Sequence, residues 1–130
     1  MAPDSPVEAQ MRNVLVADDE PHIGRIIQMK LEQGPYRVTL VPDGRAALER
    51  LRGDEPIDVV LLDIMMPYAS GLDVLQEIRS LPHRRDVPVI ILTAKGQESD
   101  RAQAMSLGAT DFFTKPFSPK KLLARVDELF

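Results

Sequence analysis

Apolar residues follow two alternating rhythms along the chain. Short unbroken runs recur within Arg12 to Ala17, Tyr36 to Val41, Ile57 to Asp63 and Val87 to Leu92, and at Phe112-Phe113. A run that is apolar on both faces reads as a strand buried inside a parallel sheet. Between the runs the spacing changes to a helical one. Ile23, Ile26, Ile27 and Leu31 form a stripe after Pro21, which suits a first helical turn, and Gly34-Pro35 stops it. Ala46, Ala47, Leu48 and Leu51 supply the inner face of a second helix that ends at Gly53. Leu72, Leu75 and Ile78 do the same for a third, from about Gly71 to Ser80, and a polar loop follows over Pro82 to Asp86. A last helix runs from Pro119 to Leu129, started by Ser118, with Leu122, Leu123, Val126 and Leu129 inward. The fourth helix, from about Ser99 to Leu107, offers only Ala102, Ala104, Met105 and Leu107 before Gly108 caps it, so it is expected to be the most loosely held.

Strands alternating with helices in this way predict an α/β fold: a five-stranded parallel sheet covered on both faces, because right-handed crossovers distribute the helices to both sides. Met1 to Met11 reads as a flexible leader, and residues 12–130 as one domain. A chain of 130 residues is long enough to bury roughly two thirds of the surface its unfolded form exposes. It has no cysteine, which removes disulfides, thiolate nucleophiles and Cys-ligated zinc. His22 and His83 read as solvent-facing. The net charge of −4 argues against generic attraction to nucleic acid. No apolar run approaches the roughly 20 residues of a membrane helix, and the leader has no signal-peptide core. The reading is a soluble cytoplasmic protein that binds neither nucleic acid nor membrane directly.

The chemistry gathers where the strands end. Val59 to Leu62 lead straight into Asp63, and in open α/β sheets the crevice beyond the strand C-termini is where ligands bind. Asp18 and Asp19 follow the first strand, Thr93 the fourth and Lys115 the fifth. Each has an ordinary alternative when taken alone: Asp63 a turn, Asp18-Asp19-Glu20 a complement to a helix N-terminus, Thr93 a strand end, Lys115 a solvated loop lysine. Phe112 reads by default as a core aromatic, and Met65-Met66 as packing. All five polar residues nevertheless fall at strand ends that share one edge. Three crowded carboxylates call for a cation, and Mg2+ suits a few carboxylates, a backbone carbonyl and waters. A carboxylate beside Mg2+, an ammonium and a hydroxyl is equipped to attack phosphorus in line and become an aspartyl phosphate.

Asp18-Asp19, the segment Asp63-Ile64-Met65-Met66-Pro67 with Gly71 eight residues after Asp63, Thr93-Ala94, and Lys115-Pro116-Phe117 together resemble the receiver domain of two-component response regulators. The resemblance covers about Arg12 to Phe130. It implies a flavodoxin-like sheet of strand order 2-1-3-4-5, with Asp63 as phosphoacceptor. Mg2+ would be held by Asp18, Asp19, Asp63 and the Met65 carbonyl. Thr93 and Lys115 would bind the phosphoryl group, Thr93 and Phe112 would act as the switch pair, and the Lys115–Pro116 bond would be cis. The phosphodonor would be a sensor histidine kinase, a phosphotransfer protein or a small phosphodonor. The surface of helix four, strand five and helix five would change for a downstream effector or a fused output domain. The domain would not be an enzyme beyond slow self-phosphorylation and self-dephosphorylation.

Two positions depart from the pattern or flank it. Met65 is apolar where many family members are polar, and with Lys95 it is expected to flank the water's path to the acyl phosphate, Met65 shielding it. The chain reads either as a stand-alone receiver or as the receiver portion of a longer regulator. A phosphorylation-dependent homodimer through Asp111, Arg101 and Arg125 is a further expectation, with Lys121 standing where that pattern has an acid. The alternative is an aspartyl-phosphate hydrolase of the haloacid dehalogenase type, which needs a second Asp where Met65 stands. A flavin-binding module would need a Ser/Thr/Gly-rich loop in place of Asp18-Asp19-Glu20.

Overall fold

A computed structural model describes residues 11–94 and 98–130, and the predicted leader up to Gln10, like Lys95, lies outside the described residues. The elements alternate throughout: β1 (Arg12–Ala17), α1 (Pro21–Leu31), β2 (Tyr36–Val41), α2 (Gly44–Arg52), β3 (Val59–Asp63), α3 (Gly71–Ser80), β4 (Val89–Thr93), α4 (Glu98–Ser106), β5 (Asp111–Thr114) and α5 (Pro119–Asp127). The sheet order is β2-β1-β3-β4-β5, parallel at every pairing, as expected.

Period-two alternation sorts the strand residues to the two faces. Leu15, Ala17, Val60, Leu62 and Ile91 meet Ala47, Leu51, Val74, Leu75 and Ile78 on one side. Val14, Val16, Val59, Leu61, Ile90 and Leu92 meet Ile27, Leu31, Leu122 and Val126 on the other. The central strands are therefore buried on both faces, which is why their runs are continuous rather than alternating.

Boundaries and faces differ from the expectation in instructive places. β3 begins at Val59, not Ile57, because the Asp58 carboxylate takes the Asn13 amide at 2.7 Å and substitutes a side chain for the ladder. β4 begins at Val89, after Pro88, which has no N–H to give. β5 is longer than Phe112-Phe113, and α5 stops two residues short of Leu129. Ile26 is exposed and Gly24 takes its place on the inner face of α1. On α4, Ala102 and Met105 are exposed and Ala104 is the buried contact, so this helix is held even more thinly than its sequence suggests. The predicted polar loop after α3 hides a buried arginine. Arg84 donates from Nε to Leu51 O at 3.0 Å, and from Nη2 to Gly53 O at 2.8 Å and Glu55 O at 2.7 Å, closing the C-terminal end of α2 with a cation.

Candidate functional site

Register brings the predicted residues together. Ala17 pairs with Leu62, Asp63 with Leu92, and Thr93 with Thr114, so the ends of β1, β3, β4 and β5 lie side by side. The next residue after β1 is Asp18, whose amide is held on Val41 O at 3.2 Å. The next after β5 is Lys115, whose amide donates to Thr93 O at 2.6 Å. The Lys115–Pro116 peptide bond is cis.

Asp18, Asp63 and Thr93 are buried, while Asp19 stands exposed at the rim. The Lys115 ammonium crosses the crevice and donates to Asp18 Oδ2 at 2.8 Å, Glu20 Oε1 at 2.9 Å and Asp63 Oδ2 at 3.0 Å. The second oxygens of the two buried carboxylates are also engaged: Asp18 Oδ1 accepts from the Glu20 amide at 2.9 Å, and Asp63 Oδ1 from the Met65 amide at 3.1 Å. Asp63 is thus clamped at both oxygens.

Burial pushes the Asp63 carboxyl up, and the nearby Asp18 adds to the rise. The Lys115 hydrogen bond and charge oppose it without cancelling it. For Lys115, burial acts to lower the pKa, yet bonds to Asp18, Glu20 and Asp63 outweigh it and the pKa rises. The two directions are compatible because one ammonium serves three carboxylates, so each acid receives only a share of its stabilisation. Glu20, at the surface, is lowered by its hydrogen bond to Lys115.

The acids fit a hard cation. Asp18, Asp19, Glu20 and Asp63 each offer a carboxylate oxygen, and these oxygens lie within 4.8 Å of one another. An all-oxygen donor set of this kind suits Mg2+.

The loop after β3 is shaped by close backbone approach. The Gly71 amide donates to Ile64 O at 3.0 Å, and a Cβ on Gly71 would fall 2.3 Å from Asp63 O. Ser70 and Asp73 then start α3 with a reciprocal capping box. Met65 is exposed, so the Met65-Met66 pair is not a packing pair: Met66 touches the core, and Met65 stands at the rim. Tyr68 adopts a positive φ of 72° with the Arg45 guanidinium 4.9 Å from its ring centroid.

Phe112 is buried, with the Arg101 guanidinium 6.0 Å from its ring centroid. Asp111 Oδ2 is bonded to Arg125 Nε at 2.6 Å within the same chain, which ties β5 to α5. His22 and His83 are exposed, as expected; His83 Nε2 also sits 3.0 Å from Leu51 O. Sequence reasoning missed the Glu20 contact to Lys115. Its one signal was a third acid directly after Asp18-Asp19. Arg84 carried no local signal, because its three acceptors are about thirty residues away.

A family model described as "Response regulator receiver domain" matches residues 14–127. The chain is 46% identical over 113 residues to "Probable transcriptional regulator ycf27" of Galdieria sulphuraria, covering 87% of this chain and 43% of that protein. It is 42% identical over 119 residues to the response regulator SaeR of Staphylococcus aureus, covering 92% and 50%. It therefore spans about half the length of the curated relatives it matches. Among solved structures, a BeF3-activated receiver domain of DrrB, a Thermotoga maritima protein described as an OmpR/PhoB homologue, superposes with a TM-score of 0.84 at 33% identity, covering 92% of this chain and 97% of that one.

Proposed function

The chain belongs to the response regulator receiver family, and from that premise we propose that residues 12–130 are a signalling switch that accepts a phosphoryl group on Asp63. The observation that carries this reading is the placement of a buried carboxylate whose Oδ2 lies 3.0 Å from the Lys115 ammonium, inside a cluster of acids at the sheet's C-terminal edge. An oxygen of Asp63 forms a bond to phosphorus as the bond from phosphorus to the donor's nitrogen or acyl oxygen breaks. The electron pair leaves with the donor. Lys115 and the Thr93 hydroxyl bind the phosphoryl oxygens and offset their charge. Asp18, Asp19, Asp63 and the Met65 carbonyl would hold Mg2+, which when bound supplies further charge compensation at the phosphoryl group.

A phosphoryl group brings close to two negative charges. Thr93 moves toward it and Phe112 turns further inward, and thinly packed α4 is the element with least packing to resist the shift. The surface of α4, β5 and α5 is then the face that an effector or fused output domain reads. The DrrB receiver, described as BeF3-activated, supports this chemistry. The donor is a histidine kinase, a phosphotransfer protein or a small phosphodonor, in the cytoplasm, where the domain acts without direct nucleic-acid or membrane contact. Among the described residues no helix is long and apolar enough to cross a membrane. Phosphorylated copies pair through Arg101, Asp111 and Arg125, which requires the Asp111–Arg125 pair to be shared between copies. Met65, at the rim beside Asp63, shields the acyl phosphate from water and lengthens its lifetime. It also stands where a hydrolase of the haloacid dehalogenase type needs its second Asp, which disfavours that reaction.

Incubation with acetyl phosphate and Mg2+ followed by intact mass tests the reading. Wild type should gain one phosphoryl mass and Asp63→Ala none. A wild type that gains no mass from either acetyl phosphate or a histidine kinase would end the proposal.

A further inference from the structure

Lys115 has no donor to spare. An ammonium has three N–H donors, and in this site all three are committed, to Asp18 at 2.8 Å, Glu20 at 2.9 Å and Asp63 at 3.0 Å. If Lys115 is to bind a phosphoryl oxygen, as the function proposed above requires, one of these bonds must open. The three acceptors are not equivalent. The side chains of Asp18 and Asp63 are 1% and 5% exposed, whereas that of Glu20 is 47% exposed. A carboxylate released into water regains its hydration, so an exposed pair is cheap to open. A buried carboxylate that loses its cation gains no such compensation.

The backbone around Glu20 points the same way. Its amide is fixed on Asp18 Oδ1 at 2.9 Å and its carbonyl accepts from Ile23 and Gly24, so the main chain is anchored while the side chain reaches back over the crevice. From this geometry we infer that Glu20 is a positioning residue: it holds the Lys115 ammonium across the unphosphorylated site and surrenders it to the incoming phosphoryl group. The exchange is one N–H···O bond for another, with no proton transferred. Glu20 then turns to solvent, which also moves its negative charge away from the phosphoryl oxygens.

The inference rests on the phosphoacceptor reading and makes a separate prediction. In the full chain at saturating Mg2+, phosphorylation by acetyl phosphate is followed by intact mass for wild type, Glu20→Gln and Glu20→Ala, each also in a Lys115→Met background. With Lys115 present, the rate constant should rise by up to about fivefold in Glu20→Ala and by less in Glu20→Gln, whose amide oxygen still accepts. In the Lys115→Met background the same changes should have no effect. Equal acceleration in both backgrounds would assign Glu20 to simple repulsion of the donor and overturn the inference, as would no acceleration. A double-mutant cycle on thermal unfolding in EDTA gives a readout free of metal and donor. Glu20 and Lys115 should be coupled there, and strict additivity would also overturn it. A wild type that never gains mass would instead remove the phosphoacceptor reading beneath it.

Discussion

Replacing Gly71 by alanine puts the close backbone approach to Asp63 under test. The added Cβ would lie 2.3 Å from Asp63 O, 2.8 Å from Asp63 C and 3.0 Å from Ile64 Cα. These are backbone atoms and cannot rotate aside. To reach ordinary contact, the Asp63–Ile64 peptide and the start of α3 must separate by about 1 Å, an overpacking strain that costs roughly 1–3 kcal/mol. That movement stretches two bonds, Gly71 N to Ile64 O and Ile64 N to Leu92 O, both 3.0 Å, each contributing about 0.5–1.5 kcal/mol. Alanine returns about 0.4–1 kcal/mol by restricting the unfolded chain. The net expectation is a loss of about 2–4 kcal/mol, equivalent to a Tm drop of about 6–20 °C for a chain of this size. Urea unfolding followed by far-ultraviolet circular dichroism reads it, with an unchanged m-value showing that the denatured state is not responsible. Gly24→Ala is the internal control, since its Cβ would meet Leu40 Cδ2 at an ordinary 3.5 Å inside α1. It should stabilise by about 0.5–1 kcal/mol. Equal stability of the two variants would refute the steric account, and phosphorylation of Gly71→Ala at the wild-type rate would refute the claim that this contact positions Asp63.

Arg84→Met should cost about 2–4 kcal/mol in urea unfolding, because three carbonyls at the end of α2 lose a charged donor; a loss below about 0.5 kcal/mol would mean that water or His83 replaces it. The raised Asp63 pKa gives a pH signature in EDTA. A raised folded pKa means the stabilising contribution is full below the unfolded value of 3.8 and is lost as pH rises through the folded pKa. Asp63→Asn should therefore gain on wild type across that window and hold a constant lead at neutral pH, and a lead that shrinks with rising pH would contradict the assignment. Mg2+ at about 100 times its Kd should stabilise wild type by about 2.7 kcal/mol, and Asp19→Asn should need more Mg2+ for the same gain, as differential scanning fluorimetry would show.

The alternation of five strands with five helices and the arrival of Asp18, Asp63, Thr93 and Lys115 at strand ends were legible in the sequence, because burial on both faces writes itself as unbroken apolar runs and each site residue lies at or just past the end of a strand, whereas the strand order was legible only through the resemblance to receiver domains. Ile26 and Met105 show where that legibility stops. Helical spacing proposes a face, but whether a given residue on it is covered depends on the width and tilt of the neighbouring elements. Ile26 and Met105, 45% and 42% exposed, lie beyond the edge of their contacts.

What the chain alone determined was therefore which residues arrive at strand C-terminal ends, since that follows from the local period. Only the tertiary structure decided how they share charge there. The ammonium of Lys115 is divided among three acids, Asp18 just after β1, Asp63 at the end of β3 and Glu20 just before α1, and Arg84 reaches back to the end of α2. Both arrangements join groups about thirty to a hundred residues apart in sequence. No local pattern encodes such contacts, because their energies depend on distances and burial that exist only after the chain has folded.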